Sequence, residues 1–248
     1  MSIFASQSER VAVVTGGSGG IGRAIAERLG AEGNLVVVHY SQNADRAEEV
    51  VRRITTGGGS AVALGGDVAD EEAMKALFDE TESHYGGIDV VVHTAGVMSL
   101  SPLIDLDFED FDQIVRINLR GTFVVDQQAA RRVRRGGAII NFSTSVTRRA
   151  VPTYSAYSAT KGAVDAITMI LAKELRGRDV TVNTIAPGPT ATLLFLEGKD
   201  QATIDNFASM PALERLGRPE DIADVVSFLA GPGHWVNGQV IYADGGLI

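Results

Sequence analysis

The chain has 248 residues, of which 45% are hydrophobic and 21% are charged, which is the composition of a globular protein with a substantial core. Its formal net charge of −9 argues against nucleic acid or an acidic membrane surface as the main partner, because like charges repel. Cysteine is absent, which excludes disulfides, cysteine zinc sites and cysteine nucleophiles, and the 4 histidines are too scattered for a metal cluster.

The N-terminus predicts no targeting segment. Residues 1–10 are polar and lack the basic start and apolar core of a signal peptide. No apolar run reaches the roughly 18 residues that a transmembrane helix needs. We therefore expect a cytoplasmic protein with no membrane partner.

The first elements in chain order are a strand, a glycine-rich turn, a helix and a second strand. The strand at 11–14 is apolar and rich in β-branched side chains, as in a buried parallel strand. A helix at 23–32 and a strand at 35–38 follow the turn Thr15-Gly16-Gly17-Ser18-Gly19-Gly20-Ile21-Gly22. Glycines let the backbone approach a pyrophosphate, and the helix N-terminus supplies amide donors. The pattern indicates a dinucleotide-binding turn, with a merely flexible loop as the alternative.

The alternation continues to the end of the chain. Further strands are predicted at 61–65, 88–93, 138–142, 180–185 and 239–242. Further helices are predicted at 44–54, after an N-cap at Asp70, and at 108–135, 153–176 and 219–230. This alternation predicts an α/β protein, with one Rossmann domain over 1–248 and a doubly wound parallel sheet of about seven strands between helices. The segment 191–209 fits the alternation poorly, and we interpret about 190–210 as a substrate lid.

Tyr157 and Lys161 are the strongest candidates for chemistry. They stand four residues apart in the helix predicted at 153–176, so both side chains can face one cleft. A nearby ammonium favours the phenolate and lowers the pKa of a phenol, which would make Tyr157 an acid or base. The spacing alone is weak evidence, because such pairs are common on helix surfaces.

Together, the turn from Thr15 to Gly22 and the Tyr157-x-x-x-Lys161 spacing resemble the short-chain dehydrogenase/reductase family. Other motifs in the same order are Ala95-Gly96, Asn118, Pro187-Gly188 and Tyr242-Ala243-Asp244-Gly245-Gly246. The resemblance covers nearly the whole chain and is greatest to the 3-oxoacyl-(acyl-carrier-protein) reductase type.

The resemblance implies hydride transfer between nicotinamide C4 and a carbonyl carbon. Tyr157 would protonate the carbonyl oxygen, Lys161 would hold the nicotinamide ribose and lower the pKa of Tyr157, and Asn118 would hold a water. The family's serine, 13 positions before the tyrosine, is Thr144 here. Threonine keeps the hydroxyl, so we favour Thr144 as the carbonyl-polarising residue, with Ser145 and less readily Ser143 as alternatives.

The resemblance also implies a set of cofactor contacts along the carboxyl ends of the strands. They are Gly16, Ser18, Gly20, Ile21, Tyr40, Ser41, Asp67, Val68, Ala95, Gly96, Tyr157, Lys161, Pro187, Gly188 and Thr190. Capping roles are the structural alternative for Asp67 and Thr190. Thr94 departs from the family's usual asparagine, which we expect to affect local structure more than chemistry.

The end of the second strand favours NADP(H) over NAD(H). The segment His39-Tyr40-Ser41-Gln42-Asn43 offers hydroxyl and amide donors and has no carboxylate before Asp45. A carboxylate there would accept from the adenosine ribose and favour NAD. No arginine or lysine stands in the segment; Arg46 is the nearest.

The remaining predictions concern the substrate and the oligomeric state. The lid is apolar at 193–196, which suits an acyl chain or another hydrophobic ketone. Arg148 and Arg149 lie near the expected mouth of the site, where they would attract an acidic carrier protein or a carboxylated substrate unless they are solvated surface residues. The resemblance implies a homotetramer formed through the two long helices and the C-terminal strand.

Three functions are compatible with these patterns. The first is an NADPH-dependent ketone reductase acting on a small-molecule or acyl-thioester ketone. The second is an NAD-dependent polyol, sugar or steroid dehydrogenase. The third is a non-catalytic nucleotide-binding sensor on the same fold, against which the intact Tyr157, Lys161 and Asn118 argue.

Overall fold

The computed structural model describes residues 9–248, and their strands form one parallel sheet. The strands are β1 Val11–Thr15, β2 Leu35–Tyr40, β3 Ser60–Gly65, β4 Ile88–His93, β5 Val133–Phe142, β6 Thr181–Pro187 and β7 Val240–Ala243. Their order in the sheet is β3-β2-β1-β4-β5-β6-β7. The prediction of a doubly wound parallel sheet of about seven strands is confirmed. Strand order reverses direction beside β1, which makes the carboxyl edge there the expected ligand site.

Helices cover both faces of the sheet. They are α1 Gly20–Ala31, α2 Ala44–Thr56, α3 Glu71–Tyr85, α4 Phe108–Ile114, α5 Gly121–Arg132, α6 Val146–Arg149, α7 Ser155–Glu174, α8 Leu193–Leu196, α9 Gln201–Ser209 and α10 Pro219–Ala230. Successive residues of a strand point to opposite faces. Thus Ala12 and Val14 pack with α1, α2 and α10, whereas Val13 packs with α3 and α5.

The middle helix differs from the prediction of one continuous helix over 108–135. Between α4 and α5 the residues Val115–Arg120 form a π-helical segment, in which each turn holds an extra residue. Helical periodicity in a sequence does not distinguish this winding from an α-helix. The segment contains Asn118, which is buried.

The helix also ends three residues early, because β5 begins at Val133 instead of 138. The register between β4 and β5 shifts between Ile88 and Val90, so the extra residues of β5 form an irregularity. Arg134 holds it in place, since Nε donates to Asp89 Oδ1 at 2.9 Å. The Asp89 carboxylate in turn accepts from Val11 N at 2.8 Å, which ties this point to β1.

Other boundaries agree with the predictions to within a few residues. Asp70 caps α3 as predicted, with its carboxylate accepting from Glu72 N and Ala73 N. The region 191–209 contains α8 and α9, and an isolated bridge pairs Thr190 with Gly217.

Two predictions concern the chain ends and membranes. Most of the N-terminal segment assessed for a signal peptide, residues 1–8, lies outside the described residues. Within 9–248, no helix is long and apolar enough to cross a membrane.

Asp126 on α5 is a buried carboxylate within a polar network beneath the sheet. Its Oδ2 accepts from Asn141 Nδ2 at 2.9 Å, and Asn141 also donates to Thr168 Oγ1 at 3.1 Å. Among residues 9–248, no donor reaches Asp126 Oδ1. Burial raises the pKa of Asp126 to about 7, which the bond from Asn141 only partly opposes.

We expect Asp126→Asn to remove a pH-dependent loss of stability. The folded protein keeps the Asp126 proton up to about pH 7, whereas an unfolded chain releases it near pH 4. Wild-type stability therefore falls as pH rises across that window and remains lower above it. The advantage of the variant should grow with pH, to at most about 4 kcal/mol, in urea unfolding between pH 5.5 and 8.5.

Asp112→Asn, which alters an exposed carboxylate on α4, is the matched control and should show no such trend. A difference between Asp126→Asn and wild type that stays constant with pH would contradict the assignment of the raised pKa to Asp126.

Candidate active site

The N-terminus of α1 presents backbone amides at the carboxyl edge of β1. Gly19 precedes the helix in an extended conformation, no described side chain caps it, and its first turn holds no acidic residue. Uncapped helix amides and the positive end of the helix dipole favour a phosphate group.

Two glycines allow this turn to pack tightly. Gly16 has a φ of 66°, and a Cβ built on it would lie 2.9 Å from Ala95 N. A Cβ on Gly22 would lie 2.3 Å from Gly16 O. In contrast, a Cβ on Gly19 would meet nothing within 4 Å, so it faces open space. Ser18, Gly20 and Ile21 are partly exposed in the same turn.

At the end of β2, Tyr40 and Ser41 are accessible to solvent, whereas His39 is not. His39 is buried beneath the turn; Nδ1 accepts from Gly16 N at 3.3 Å and Nε2 lies 3.0 Å from Gly66 O. Burial lowers its pKa to about 4, so the ring is neutral. Asn43 is used as the N-cap of α2. The donors available to a cofactor at the end of β2 are therefore those of residues 40–42, instead of the predicted 39–43.

Asp67 and Val68 follow β3 at the same edge. The carboxylate of Asp67 accepts from Ala69 N at 2.9 Å and pairs with Arg116. Asp67 thus bonds locally, although the N-cap of α3 is Asp70. Val68 is buried, and a Cβ on Gly121 would lie 2.9 Å from its Cγ2.

Ala95 and Gly96 follow β4 beside the turn. Thr94 Oγ1 donates to Thr15 O at 2.6 Å, so threonine at this position joins β4 to β1. A Cβ on Gly96 would lie 3.2 Å from Asn118 Oδ1 and 3.5 Å from Lys161 Nζ. Gly96 therefore marks the place where these two polar side chains converge.

Asn118 reaches out of the π-helical segment to two distant parts of the chain. Its Oδ1 accepts from Val97 N at 2.8 Å, and its Nδ2 donates to Val97 O at 2.9 Å and Thr160 Oγ1 at 3.3 Å. None of these partners belongs to its own helical segment. Its side chain instead connects the segment after β4 with α7.

Tyr157 and Lys161 lie on α7, but the pKa of Tyr157 does not shift in the expected direction. The Lys161 ammonium donates to Phe142 O at 2.8 Å and lies 5.9 Å from the centre of the Tyr157 ring. Burial, together with the neighbouring Tyr154, raises the pKa of Tyr157 to about 12. The expectation of a lowered value is wrong for this arrangement, because desolvation outweighs the attraction of an ammonium directed at a carbonyl.

The same burial lowers the pKa of Lys161 to about 8, against the opposing charge of Asp165 one helical turn away. Burial disfavours the charged form of either group, so the two pKa values move in opposite directions. At neutral pH the pair consists of a neutral phenol and a mostly protonated amine.

Three hydroxyl side chains follow β5 and line the same cleft. Ser143 Oγ donates to Lys161 O at 3.2 Å. Thr144 Oγ1 accepts from Val146 N at 3.3 Å, which leaves its own proton free for another acceptor. Ser145 is buried at the start of α6.

Pro187, Gly188 and Thr190 close the other side of the cleft after β6. Gly188 N donates to Ala243 O at 3.1 Å, and a Cβ on Gly188 would lie 2.8 Å from Asp244 Cα. Thr190 Oγ1 donates to Gly188 O at 2.9 Å. The residue that caps α8 is Thr192, so Thr190 does not have the capping role considered for it.

The structure thus divides the predicted site residues between two connected regions. Those that line the cleft are Ile21, Gly96, Thr144, Tyr157, Lys161, Pro187, Gly188 and Thr190. The others lie around Gly96 or along the edge of the sheet toward β2 and β3. Sequence reasoning missed Met98, Val151 and Tyr154, which also line the cleft. Their positions beside Ala95-Gly96 and Tyr157 were the available signal.

Leu194, Phe195 and Phe207 from the segment 191–209 line the cleft as well. The rings of Phe195 and Phe207 meet edge to face with centroids 5.3 Å apart, which joins α8 to α9. Leu247, near the C-terminus, lines the cleft too.

These features fit a nicotinamide dinucleotide. The uncapped α1 terminus and the open space at Gly19 suit its pyrophosphate. The cleft beside Tyr157 and Lys161 suits the nicotinamide end. Among residues 9–248, no group of His, Asp or Glu has the arrangement of a metal site.

Comparison with known proteins identifies the family. The family model described as enoyl-(acyl carrier protein) reductase matches residues 16–248. A short-chain type dehydrogenase/reductase of Picea abies is 43% identical over 250 residues, covering 96% of this chain and 92% of the relative. The chain belongs to the short-chain dehydrogenase/reductase family.

Two further similarities are to proteins whose names state an activity. NADPH-dependent aldehyde reductase 2 of Arabidopsis thaliana, a chloroplastic protein, is 40% identical to this chain. The aligned region covers 96% of this chain and 94% of the relative. The crystal structure of the angucycline C-6 ketoreductase LanV with bound NADP has a TM-score of 0.90 and 35% identity. It covers 96% of this chain and 95% of that chain.

Alanine at Gly19 and at Gly22 should separate dinucleotide binding from folding. Gly22→Ala forces a Cβ against the backbone of Gly16 and should lower the free energy of unfolding by about 2–3 kcal/mol. Gly19→Ala should change stability by less than about 1 kcal/mol but weaken NADPH binding about tenfold or more, because its methyl group occupies the phosphate side of the turn. Urea unfolding and NADPH fluorescence titration measure the two effects. Unchanged NADPH affinity in Gly19→Ala would contradict the phosphate site.

Proposed function

We propose that this chain is an NADPH-dependent reductase that converts a ketone to a secondary alcohol. The observation that carries the proposal is the convergence of Tyr157, Lys161 and Thr144 on one cleft beside the dinucleotide turn. When bound, the cofactor supplies a hydride from nicotinamide C4. The protein's part is to hold the carbonyl, polarise it and provide a proton.

Tyr157 is the proposed proton donor. A group with a pKa of about 12 keeps its proton throughout the neutral range. Reduction begins with a protonated donor, whereas alcohol oxidation requires a base, which a neutral phenol is not. This protonation state suits the donor role in ketone reduction, and the similarity to an NADPH-dependent aldehyde reductase and an NADP-bound ketoreductase favours the reductase over the polyol, sugar or steroid dehydrogenase. Lys161, whose ammonium lies beside Gly96, is the proposed ribose contact.

Thr144 is the proposed carbonyl-polarising residue. Its hydroxyl accepts from Val146 N and so has a proton to donate into the cleft. The Ser143 hydroxyl is already directed at Lys161 O. Ser145 remains the alternative, since it also lines the cleft. Asn118 is proposed to position the water that joins Lys161 to solvent, which its place beside Gly96 supports.

NADP(H) is the preferred cofactor. Its 2′-phosphate would meet Ser41 and Tyr40 at the end of β2, where the chain has no carboxylate before Asp45. The NADPH-dependent aldehyde reductase and the NADP-bound ketoreductase support the same preference. The remaining cofactor contacts are proposed along the edge formed by Asp67, Val68, Ala95 and Gly96.

The substrate is proposed to be a hydrophobic ketone or aldehyde, with a 3-oxoacyl thioester as the specific candidate. Met98, Val151, Phe195 and Phe207 give the cleft an apolar wall that suits an acyl chain or a ring system. We propose that residues 190–210 act as the lid over it.

We also propose a homotetramer. The apolar side chains of Phe123 on α5 and Ile170 on α7 are 56% and 57% exposed, which is consistent with burial of these helices between subunits.

Substitutions of Tyr157, Thr144 and Ser145 test the catalytic assignment. Tyr157→Phe removes the proton donor and should lower kcat by about 10²–10⁴-fold while NADPH affinity stays near wild type. Thr144→Val should lower kcat by about 10²-fold, as expected for loss of a polarising donor, and Ser145→Ala should change it little. NADPH oxidation at 340 nm with a series of ketones provides the rates. Full activity in Tyr157→Phe would overturn the function, and loss only in Ser145→Ala would move the role to Ser145.

Ser41→Asp should reverse the cofactor preference. A carboxylate at the end of β2 repels a 2′-phosphate and accepts from a 2′-hydroxyl, so the ratio of NADH to NADPH affinity should rise at least about tenfold. Ser41→Asn adds similar bulk without charge and serves as the control. Equal NADPH dissociation constants for Ser41→Asp and Ser41→Asn would argue that Ser41 does not contact the 2′-phosphate.

A further inference from the structure

Arg149 places an unpaired positive charge on the wall of the cleft. It is the last residue of α6 and lines the same cleft as Tyr157. Within residues 9–248, its guanidinium forms neither an ion pair nor a hydrogen bond, and no aspartate or glutamate lines this cleft. Of the described residues, Lys161 is the other charged residue that lines the cleft, and its ammonium donates to Phe142 O.

The neighbouring Arg148 shows that this placement is specific to one of two adjacent arginines. Arg148 Nε donates to Tyr242 OH at 3.2 Å, and its guanidinium lies 5.7 Å from the centre of the Tyr242 ring. Arg148 does not line the cleft. One arginine is therefore held against an aromatic ring outside the cleft, whereas Arg149 remains free inside it.

Arg149 and Val151 flank Ala150 at the end of α6, and both line the cleft. Ala150 has φ 55° and ψ 64°, a left-handed conformation that is unfavourable for a residue with a Cβ. Ala150 itself is exposed, while its two neighbours line the cleft. The chain thus adopts an unfavourable conformation between two residues that both line the cleft.

We propose that Arg149 binds a carboxylate on the substrate, remote from the reacting carbonyl, so that the enzyme prefers a ketone bearing an acid group. This proposal rests on the proposed reductase function. A guanidinium matches a carboxylate through two parallel hydrogen bonds and is easily desolvated. The remaining walls include Tyr154, Phe195 and Phe207, which suit an aromatic or otherwise apolar body between the two polar ends.

The test compares acids with their esters. The substrates are 3- and 4-acetylbenzoate and the corresponding methyl esters, and the variants are Arg149→Gln and, as the matched control, Arg148→Gln. Wild type should have a higher kcat/KM for at least one acid than for its ester. Arg149→Gln should lower this acid-to-ester ratio tenfold or more, mainly through KM, while the ester's kcat/KM stays within about threefold of wild type. Arg148→Gln should leave the ratio unchanged.

A charge reversal sharpens the test. Arg149→Glu should raise kcat/KM for 4-(aminomethyl)acetophenone relative to wild type while lowering it for the acetylbenzoates. Equal losses on acid and ester in Arg149→Gln, or a ratio that does not respond to Arg149, would overturn the proposal. A larger effect of Arg149 on 3-oxobutanoyl phosphopantetheine than on 3-oxobutanoyl pantetheine, with no effect on the acetylbenzoates, would also overturn it in favour of a carrier phosphate.

Calorimetry keeps this result separate from the proposed function. Binding of the acetylbenzoates and their esters to protein saturated with NADP⁺ gives the acid-to-ester ratio without turnover. Failure of wild type to reduce any ketone would count against the reductase, whereas Arg149-dependent binding of the acids would still support the carboxylate site. If the wild type reduces the esters but Arg149→Gln leaves the acid-to-ester binding ratio unchanged, the reductase function would stand and the carboxylate site would be overturned.

Discussion

The close approach of the turn after β1 to the end of β4 is the constraint on which the site depends. Thr94 Oγ1 joins the two strands through Thr15 O, and Gly16 and Gly22 leave no room for a Cβ between them. This approach sets the turn against Ala95, whose neighbour in sequence, Gly96, lies close to Lys161 Nζ. The dinucleotide turn and the proposed catalytic pair are therefore parts of one packed edge of the sheet.

The π-helical segment makes the second connection. In an α-helix, successive side chains are rotated by a fixed angle about the helix axis. The wider π-helical turn over residues 115–120 changes this angle and therefore the direction in which the Asn118 side chain points. Its side chain then satisfies both backbone groups of Val97 and also reaches Thr160 on α7. An irregular winding costs helix stability locally, and here the buried hydrogen bonds offset it. The helix carrying Tyr157 is thereby positioned relative to the segment after β4.

Much of this structure was predictable because its signals are local. Runs such as 11–14 and 35–38 are β-branched, and the glycine-rich turn stands directly between a strand and a helix. The early start of β5 was not predictable, because it depends on contacts distant in sequence: Val133 pairs with Ile88, and Arg134 donates to Asp89, 45 residues earlier. The cleft residue Leu247 was missed for the same reason. The prediction of a lowered pKa for Tyr157 was wrong for a different reason. The spacing in sequence reveals a nearby ammonium, but it shows neither which acceptor that ammonium faces nor the desolvation of the ring.

Burial of the Tyr157 and Lys161 pair also sets the protonation states from which the proposed reduction starts. Desolvation raises the pKa of the phenol to about 12 and lowers that of the amine to about 8. A proton would leave the amine before the phenol, so Tyr157 keeps its proton through the neutral range. A ketone reduction needs no such ionisation, because it starts from the phenol. The protonated state of Tyr157 thus follows from its surroundings on α7, where Lys161 donates to Phe142 O at the end of β5 and not to the phenol.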